Sequence, residues 1–320
     1  MTTVELIGVP SSMGAFVPGQ EQAPQALRAA GLGARLVEAG FELIDQGDPP
    51  TRRWFPDREN PRAQHVEAAA EVATEVAERV RAATDAGRFP LVIGGDCTIG
   101  LGTIAGFREG PQLGLVYFDL HTDMNVPSSV DEGALDWMGM AHALGFEGAD
   151  PRLVSFGPRT PLLDPDEVVF FAVGPGHPTA FEHEQQAAHG LRLVPSTDVA
   201  ASPEHAAGEA LTLLPKAERI LVHFDVDTVD FMDLPLSEDA PRNDGLGFDV
   251  AMRALARLAA DPRFAALTVT EANPDHDPDG TAVVRLIDGI VGAMARATGP
   301  AQPTSTRSVT QIPATTADSR

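Results

Sequence analysis

The stretch Leu115-Val116-Tyr117-Phe118-Asp119-Leu120-His121-Thr122-Asp123-Met124-Asn125 decides how the chain is read. An apolar, strand-forming run ends abruptly in Asp, His, Asp and Asn at every second position. Alternate residues of a strand share a face, so Asp119, His121 and Asp123 are expected to point the same way as the strand ends. Two carboxylates and an imidazole on one face repel and desolvate one another unless a cation lies between them. Oxygen donors with one imidazole suit Mn²⁺ or another hard-to-borderline ion. A solvated acidic loop would need neither the alternation nor the apolar strand before it.

A second stretch has the same form. Arg219-Ile220-Leu221-Val222-His223-Phe224-Asp225-Val226-Asp227 reads as a buried strand whose carboxyl end carries two alternating carboxylates. Two such strands supply enough carboxylates for two ions. Ions about 3.5–4 Å apart are a recurrent device for making hydroxide from water at neutral pH.

Working outward, further strands are expected at 4–10, 41–45, 89–96, 168–173, 191–194 and 267–271. Between them, apolar residues at helical spacing predict helices near 23–28, 62–86, 98–107, 181–189, 203–213, 248–259 and 281–297. Residues 11–22 and 47–60 read as loops. Strands alternating with helices predict a three-layer α/β/α fold around a mostly parallel, eight-stranded sheet, with ligands beyond the carboxyl ends of its strands. The polar clusters fall at those ends. No composition shift divides residues 1–298, which are expected to form one domain. Residues 299–320, rich in Pro, Thr, Ser and Gln, are expected to be a disordered tail.

The 320 residues carry a formal charge of −23, and 43% of them are hydrophobic, enough for a sizeable core. A surface binding nucleic-acid phosphates would want the opposite sign, so nucleic acid is not an expected partner. The acidic balance favours a cationic small molecule instead. Lys216 is the only lysine, which reads as a coding bias rather than a functional choice. The single cysteine, Cys97, excludes an intramolecular disulfide. The N-terminus lacks a basic segment followed by a long apolar one, and no apolar run approaches membrane-spanning length. A cytoplasmic location, away from membranes, is the default expectation.

Four ordered blocks then carry a likeness: Gly94-Gly95-Asp96, Asp119 to Asn125, Phe224-Asp225-Val226-Asp227, and Glu271-Ala272-Asn273-Pro274. Together with Gly8-Val9-Pro10 and Ala23-Pro24, they resemble the arginase/agmatinase (ureohydrolase) family over residues 4–298. The resemblance implies an arginase-like α/β/α fold with two Mn²⁺ per chain that hydrolyses small guanidino compounds, commonly as a homo-oligomer, trimer or hexamer. By position, Asp119 and Asp225 would bridge the ions, Asp123 would complete one, and His121 with Asp227 the other. A metal-bridging hydroxide would attack the guanidinium carbon, and Asp123 or a neighbouring acid would protonate the leaving amine. Glu271 resembles the carboxylate that pairs with the guanidinium, and Asn125 a residue near the far end of the substrate.

The departures bear on substrate. Where the family's first block ends in a metal-ligating His, this chain has Cys97, either a softer ligand that admits other divalent metals or a small core residue. The family's proton-shuttling His is missing. Asp136 stands at its place, and His142, six residues on, is the alternative. The acidic segment that reads an α-amino group is replaced by Val173-Gly174-Pro175-Gly176-His177-Pro178. His183, His223, His276 and Asp275 read as surface or packing residues. A branch of the family in antibiotic-producing actinobacteria hydrolyses N-hydroxy-arginine and carries a Cys-for-His ligand change. That branch is the leading expectation. An agmatinase-, guanidino-acid- or formimino-type hydrolase is the alternative, and a metal-degenerate, non-catalytic homologue the third.

Overall fold

The computed structural model describes residues 1–107, 112–238 and 244–298. The expected tail, 299–320, lies outside them. Eight strands form one sheet: β1 (Thr3–Gly8), β2 (Glu42–Asp45), β3 (Phe89–Ile93), β4 (Leu113–Phe118), β5 (Val168–Val173), β6 (Arg192–Pro195), β7 (Arg219–Asp225) and β8 (Phe264–Thr270). Their order is β2-β1-β3-β8-β7-β4-β5-β6, and every pairing is parallel.

Helices cover both faces, which explains why β4 and β5 are buried along their whole length and read as unbroken apolar runs. Val116 and Phe118 of β4 pack into one core with helices that include Pro203–Thr212, Phe248–Ala259 and Thr281–Thr298. Leu115 and Tyr117 face the other way, into a core with Val66–Asp85, Ile99–Phe107 and Gly139–Leu144. Directly beneath the polar strand ends, Phe118 stands edge-on to Phe171 (centroids 4.8 Å apart) and Phe224 (5.2 Å). These three rings are fully buried, each stabilising the fold by roughly 1.5–3 kcal/mol. They tie β4, β5 and β7 together at the depth where the side chains above must be held still.

Strand order creates the site. The chain lays down β1, β2 and β3 in one half of the sheet, jumps to β4, β5 and β6 in the other, and fills the gap last with β7 and β8. Helices after β3 and β4 pack on one face and those after β7 and β8 on the other. Loops leaving the neighbouring strands β3 and β8, and β7 and β4, therefore diverge and open the crevice in which parallel sheets bind ligands. After β3 the backbone turns through Gly94 (φ 86°) and Gly95 (φ 80°). A Cβ on Gly94 would lie 2.4 Å from the Pro24 ring, so only glycine fits this turn.

Three sequence expectations need correction here. β4 ends at Phe118, so Asp119, His121 and Asp123 lie beyond the strand, and Asp123 (φ 47°) turns away from the expected shared face. Likewise β7 ends at Asp225, and Asp227 sits in a 3₁₀ turn over Val226–Thr228. A helix at Leu32–Glu38 was not expected, since Gly31 and Gly33 mask its short period.

Candidate metal centre

Four strand ends deliver the site. Cys97 follows β3, Asp119 and His121 follow β4, His223 and Asp225 close β7, and Glu271 follows β8. In register, Tyr117 pairs with His223 and Phe118 with Phe224, so the acidic turns of β4 and β7 begin side by side. Donor atoms of Cys97, Asp119, His223 and Asp225 all lie within 4.8 Å of one another. A second group, Asp119, His121 and Asp227, meets the same limit and shares Asp119 with the first.

Backbone amides aim the carboxylates. Asp119 Oδ1 accepts from the His121 N–H at 2.7 Å, and Asp225 Oδ1 accepts from the Asp227 N–H at 2.7 Å. Each tight Asx turn leaves the other oxygen facing the cluster: Asp225 Oδ2 accepts from the Cys97 thiol at 2.6 Å, and Asp119 Oδ2 is buried without a hydrogen-bond partner among the described residues. His121 Nδ1 lies 2.9 Å from Asp227 Oδ2. Its Nε2 is 3.0 Å from His177 Nδ1, and His177 Nε2 is 2.9 Å from Asp244 Oδ2.

Above the cluster opens a cavity of about 750 Å³ including its mouth, lined by Cys97, His121, Asp123, Asp136, Asp225, Asp227 and Glu271. Gln20, Glu238 and an apolar lip of Phe16, Val17 and Trp137 complete the wall. Glu271 holds the left-handed conformation (φ 61°), rare for a residue with a side chain. Its Oε1 accepts from the Cys97 N–H at 2.9 Å and its Oε2 from the Gln20 amide at 3.0 Å. A neighbouring cavity joins His121, Asp123 and Asn125 to His177, Thr179 and Asp244. Asn125 Oδ1 accepts from the Ser129 and Thr179 hydroxyls, both at 3.0 Å.

The structure thus brings Cys97, His121, Asp225, Asp227, Glu271, Asp123 and Asp136 to one cavity, with Asp119 buried among the donors of Cys97, His121, Asp225 and Asp227. Asp123 belongs to neither donor group; its Oδ2 accepts from the Tyr117 hydroxyl in a close contact. His142 is not at the cavity. It is fully buried in the helix Gly139–Leu144, with Nδ1 against the Met138 carbonyl (2.6 Å) and Nε2 accepting from the Asp150 N–H (3.1 Å). Both nitrogens are used by backbone, which corrects its candidacy as a shuttle. His223, read as a packing residue, stands inside the cluster. Its signal was present: His223, Asp225 and Asp227 alternate as Asp119, His121 and Asp123 do. Gln20 and Glu238 carried no such signal, because loops far apart in sequence bring them in.

Electrostatics test whether these residues suit a cation. Burial, reinforced by Asp227 and Asp119, pushes the Asp225 carboxyl well up. Burial and Asp119 raise Asp123, and burial with Asp136 and Asp96 raises Glu271. Burial and the surrounding carboxylates raise the Cys97 thiol as well. So many acids in one dry place must bind either protons or metal ions. The unpartnered Asp119 Oδ2, shared by both donor groups, is where a cation would satisfy the most. The donor set fits divalent metals.

The sequence model of the arginase family matches residues 2–294. The arginase of Bacillus caldovelox is 33% identical over 176 residues, 54% of this chain and 58% of that protein, so the match spans little more than half of that relative. The arginase of Bacillus subtilis is 27% identical over 297 residues, 91% of this chain and 98% of that protein. The solved structure of Bacillus caldovelox arginase superimposes with a TM-score of 0.82 at 26% identity, covering 94% of this chain and 99% of that one.

Proposed function

Because the chain belongs to the arginase family of metal-dependent amidinohydrolases, we propose that it is a two-metal hydrolase cleaving a guanidino C–N bond, with N-hydroxy-arginine or a related modified guanidino compound as substrate. The observation that carries this reading is the pair of donor groups that share the buried Asp119 and present Cys97, His121, Asp225 and Asp227 to a cavity walled by Glu271. Two Mn²⁺ ions are the expected occupants. Asp119, Asp225 and Cys97 would hold one, and Asp119, His121 and Asp227 the other. When bound, such ions lower the pKa of water towards neutrality and so supply the nucleophile.

The remaining work falls to the protein. Glu271, fixed at both oxygens by the Cys97 N–H and the Gln20 amide, offers a preoriented charge to a cationic guanidino group. Asp123 is the proton donor to the departing amine: the Tyr117 hydroxyl occupies Oδ2, leaving Oδ1 to carry the proton. Asp136, anchored by the Trp137 N–H on its Oδ1 at 2.9 Å, stands where the family resemblance expects an imidazole. An N-hydroxyguanidine is less basic than a guanidine, so it depends less on a full negative charge opposite it. That suits a wall where burial raises the carboxyls of Asp123, Asp136 and Glu271. Phe16, Val17 and Trp137 give the cavity an apolar side against which the substrate's carbon chain would pack.

The test is metal content per chain measured beside product release from arginine, agmatine and N-hydroxy-arginine. Two ions with hydroxyurea as the faster product is the expected result. Faster urea release from arginine or agmatine overturns the substrate assignment and leaves a plain guanidino hydrolase. Formamide release from a formimino compound would mark the formimino branch. One ion or none, without product, would mark a non-catalytic homologue.

A further inference from the structure

We propose that His223 is a metal ligand: reaching in from β7, its Nε2 supplies to the Cys97 side of the centre the imidazole that position 97 lacks. The family resemblance gives position 223 no role, so the inference extends the two-metal reading and rests on it.

Placement comes first. His223 lies two residues before Asp225 on the same face of β7, and the Tyr117 ring stacks on it at 4.4 Å and 16°, fixing its plane. Nε2 stands 3.3 Å from Cys97 Sγ and 3.1 Å from Thr270 Oγ1. Four ligands around one ion at usual bond lengths are separated by about 3.3–3.8 Å, and the donors of Cys97, Asp119, His223 and Asp225 all fall within 4.8 Å of each other. Small contractions would close such a set.

Room for the ring is built in, and this is independent of the donor distances. A Cβ on Gly100 would lie 2.8 Å from His223 Nδ1, so any side chain at position 100 would drive the imidazole off its place. A cysteine at 97 is short enough to share the space with it. The ring also carries a cost that packing alone would not retain. Nδ1 is buried with no hydrogen-bond partner among the described residues, and an orphaned buried polar atom is destabilising. An apolar ring would stack on Tyr117 without that cost. The feature that an imidazole adds is a lone pair at Nε2, directed at Cys97.

The experiment uses the full-length protein loaded with Co²⁺, reading ions per chain, the thiolate charge-transfer band and the visible ligand-field bands. Wild type is expected to bind two ions. His223→Gln is expected to bind the Cys97-side ion at least about tenfold more weakly, the least that loss of even an outer partner of a ligand causes. Gly100→Ala, which keeps every donor residue but pushes on the His223 ring, is expected to shift the ligand-field bands. Moving the imidazole to the turn after β3, in Cys97→His with His223→Ala, is expected to restore the second ion without the thiolate band. Thermal melts of the metal-free proteins separate ligand loss from misfolding, and Gly100→Ala carries the test if His223→Gln does not fold. Unchanged stoichiometry and bands in His223→Gln, or unchanged bands in a folded Gly100→Ala when that variant carries the test, overturn the inference. A wild type that binds a single thiolate-ligated ion, lost in His223→Gln, would sink the two-metal reading while leaving His223 a ligand.

Discussion

The two halves of the cluster share Asp119 and contrast in burial. On one side Cys97, His223 and Asp225 are buried at the strand ends, with Cys97 and Asp225 forming part of the cavity wall. On the other, the side chains of His121 and Asp227 remain 25% and 11% exposed and are braced outward through His177 to Asp244. In the proposed centre the buried half is the anchor, because charges interact more strongly where water is excluded, and the open half faces solvent. The softer thiol of Cys97 falls in the buried half. The exposed half depends instead on outer partners to keep an imidazole aimed.

That contrast can be broken most severely at the residue common to both halves. Asp119→Asn is expected to release both ions and to lower turnover by more than about 100-fold, beyond what losing an outer partner costs; retention of either ion would show that the halves are independent. Next in size, His177→Ala should weaken metal binding on the His121 side alone by about 10–100-fold, seen as loss of one ion during chelator titration while the thiolate band persists. Asp136→Asn is expected to keep both ions, because Asp136 is in neither donor group, and to alter the pH profile of kcat. An unchanged profile would remove Asp136 from the reaction.

His142→Gln should leave metal binding untouched and make stability less sensitive to acid, on top of any loss of its two buried hydrogen bonds. Burial holds the His142 imidazole down at about 4, against an ordinary 6.5. Between those values the unfolded chain binds a proton that the folded chain does not. The wild type is therefore fully stabilised above pH 6.5 and loses about 3 kcal/mol as pH falls towards 4. Chemical denaturation of the wild type and of His142→Gln at pH 7 and pH 4 checks this. Equal acid sensitivity in both proteins would refute it.

Much of this was legible in the chain. The buried runs at β4 and β7, the helices between strands and the placing of Asp119, His121, Asp225, Asp227 and Glu271 at strand ends all follow from periodicity. His223 was legible too, since it alternates with Asp225 and Asp227. It was passed over because a histidine inside an apolar strand ordinarily packs. His142 erred in the opposite direction: its sequence distance from Asp136 suited a shuttle, but its orientation on a buried helix gave both nitrogens to backbone. Gln20 and Glu238 had no local pattern at all.

The sequence by itself determined a parallel α/β sheet with an acidic, metal-suited crest, because strand period and charge alternation are local properties that survive in any register. Only the tertiary structure decided which crest residues meet. Strand order β3-β8-β7-β4 sets Cys97 against His223 and Asp225, 126 and 128 residues away in the chain. It also turns Asp123 towards Tyr117 and gives His121 its brace at His177. Contacts between distant strand ends depend on the order in which strands fill the sheet, and that order is a property of the whole packed chain.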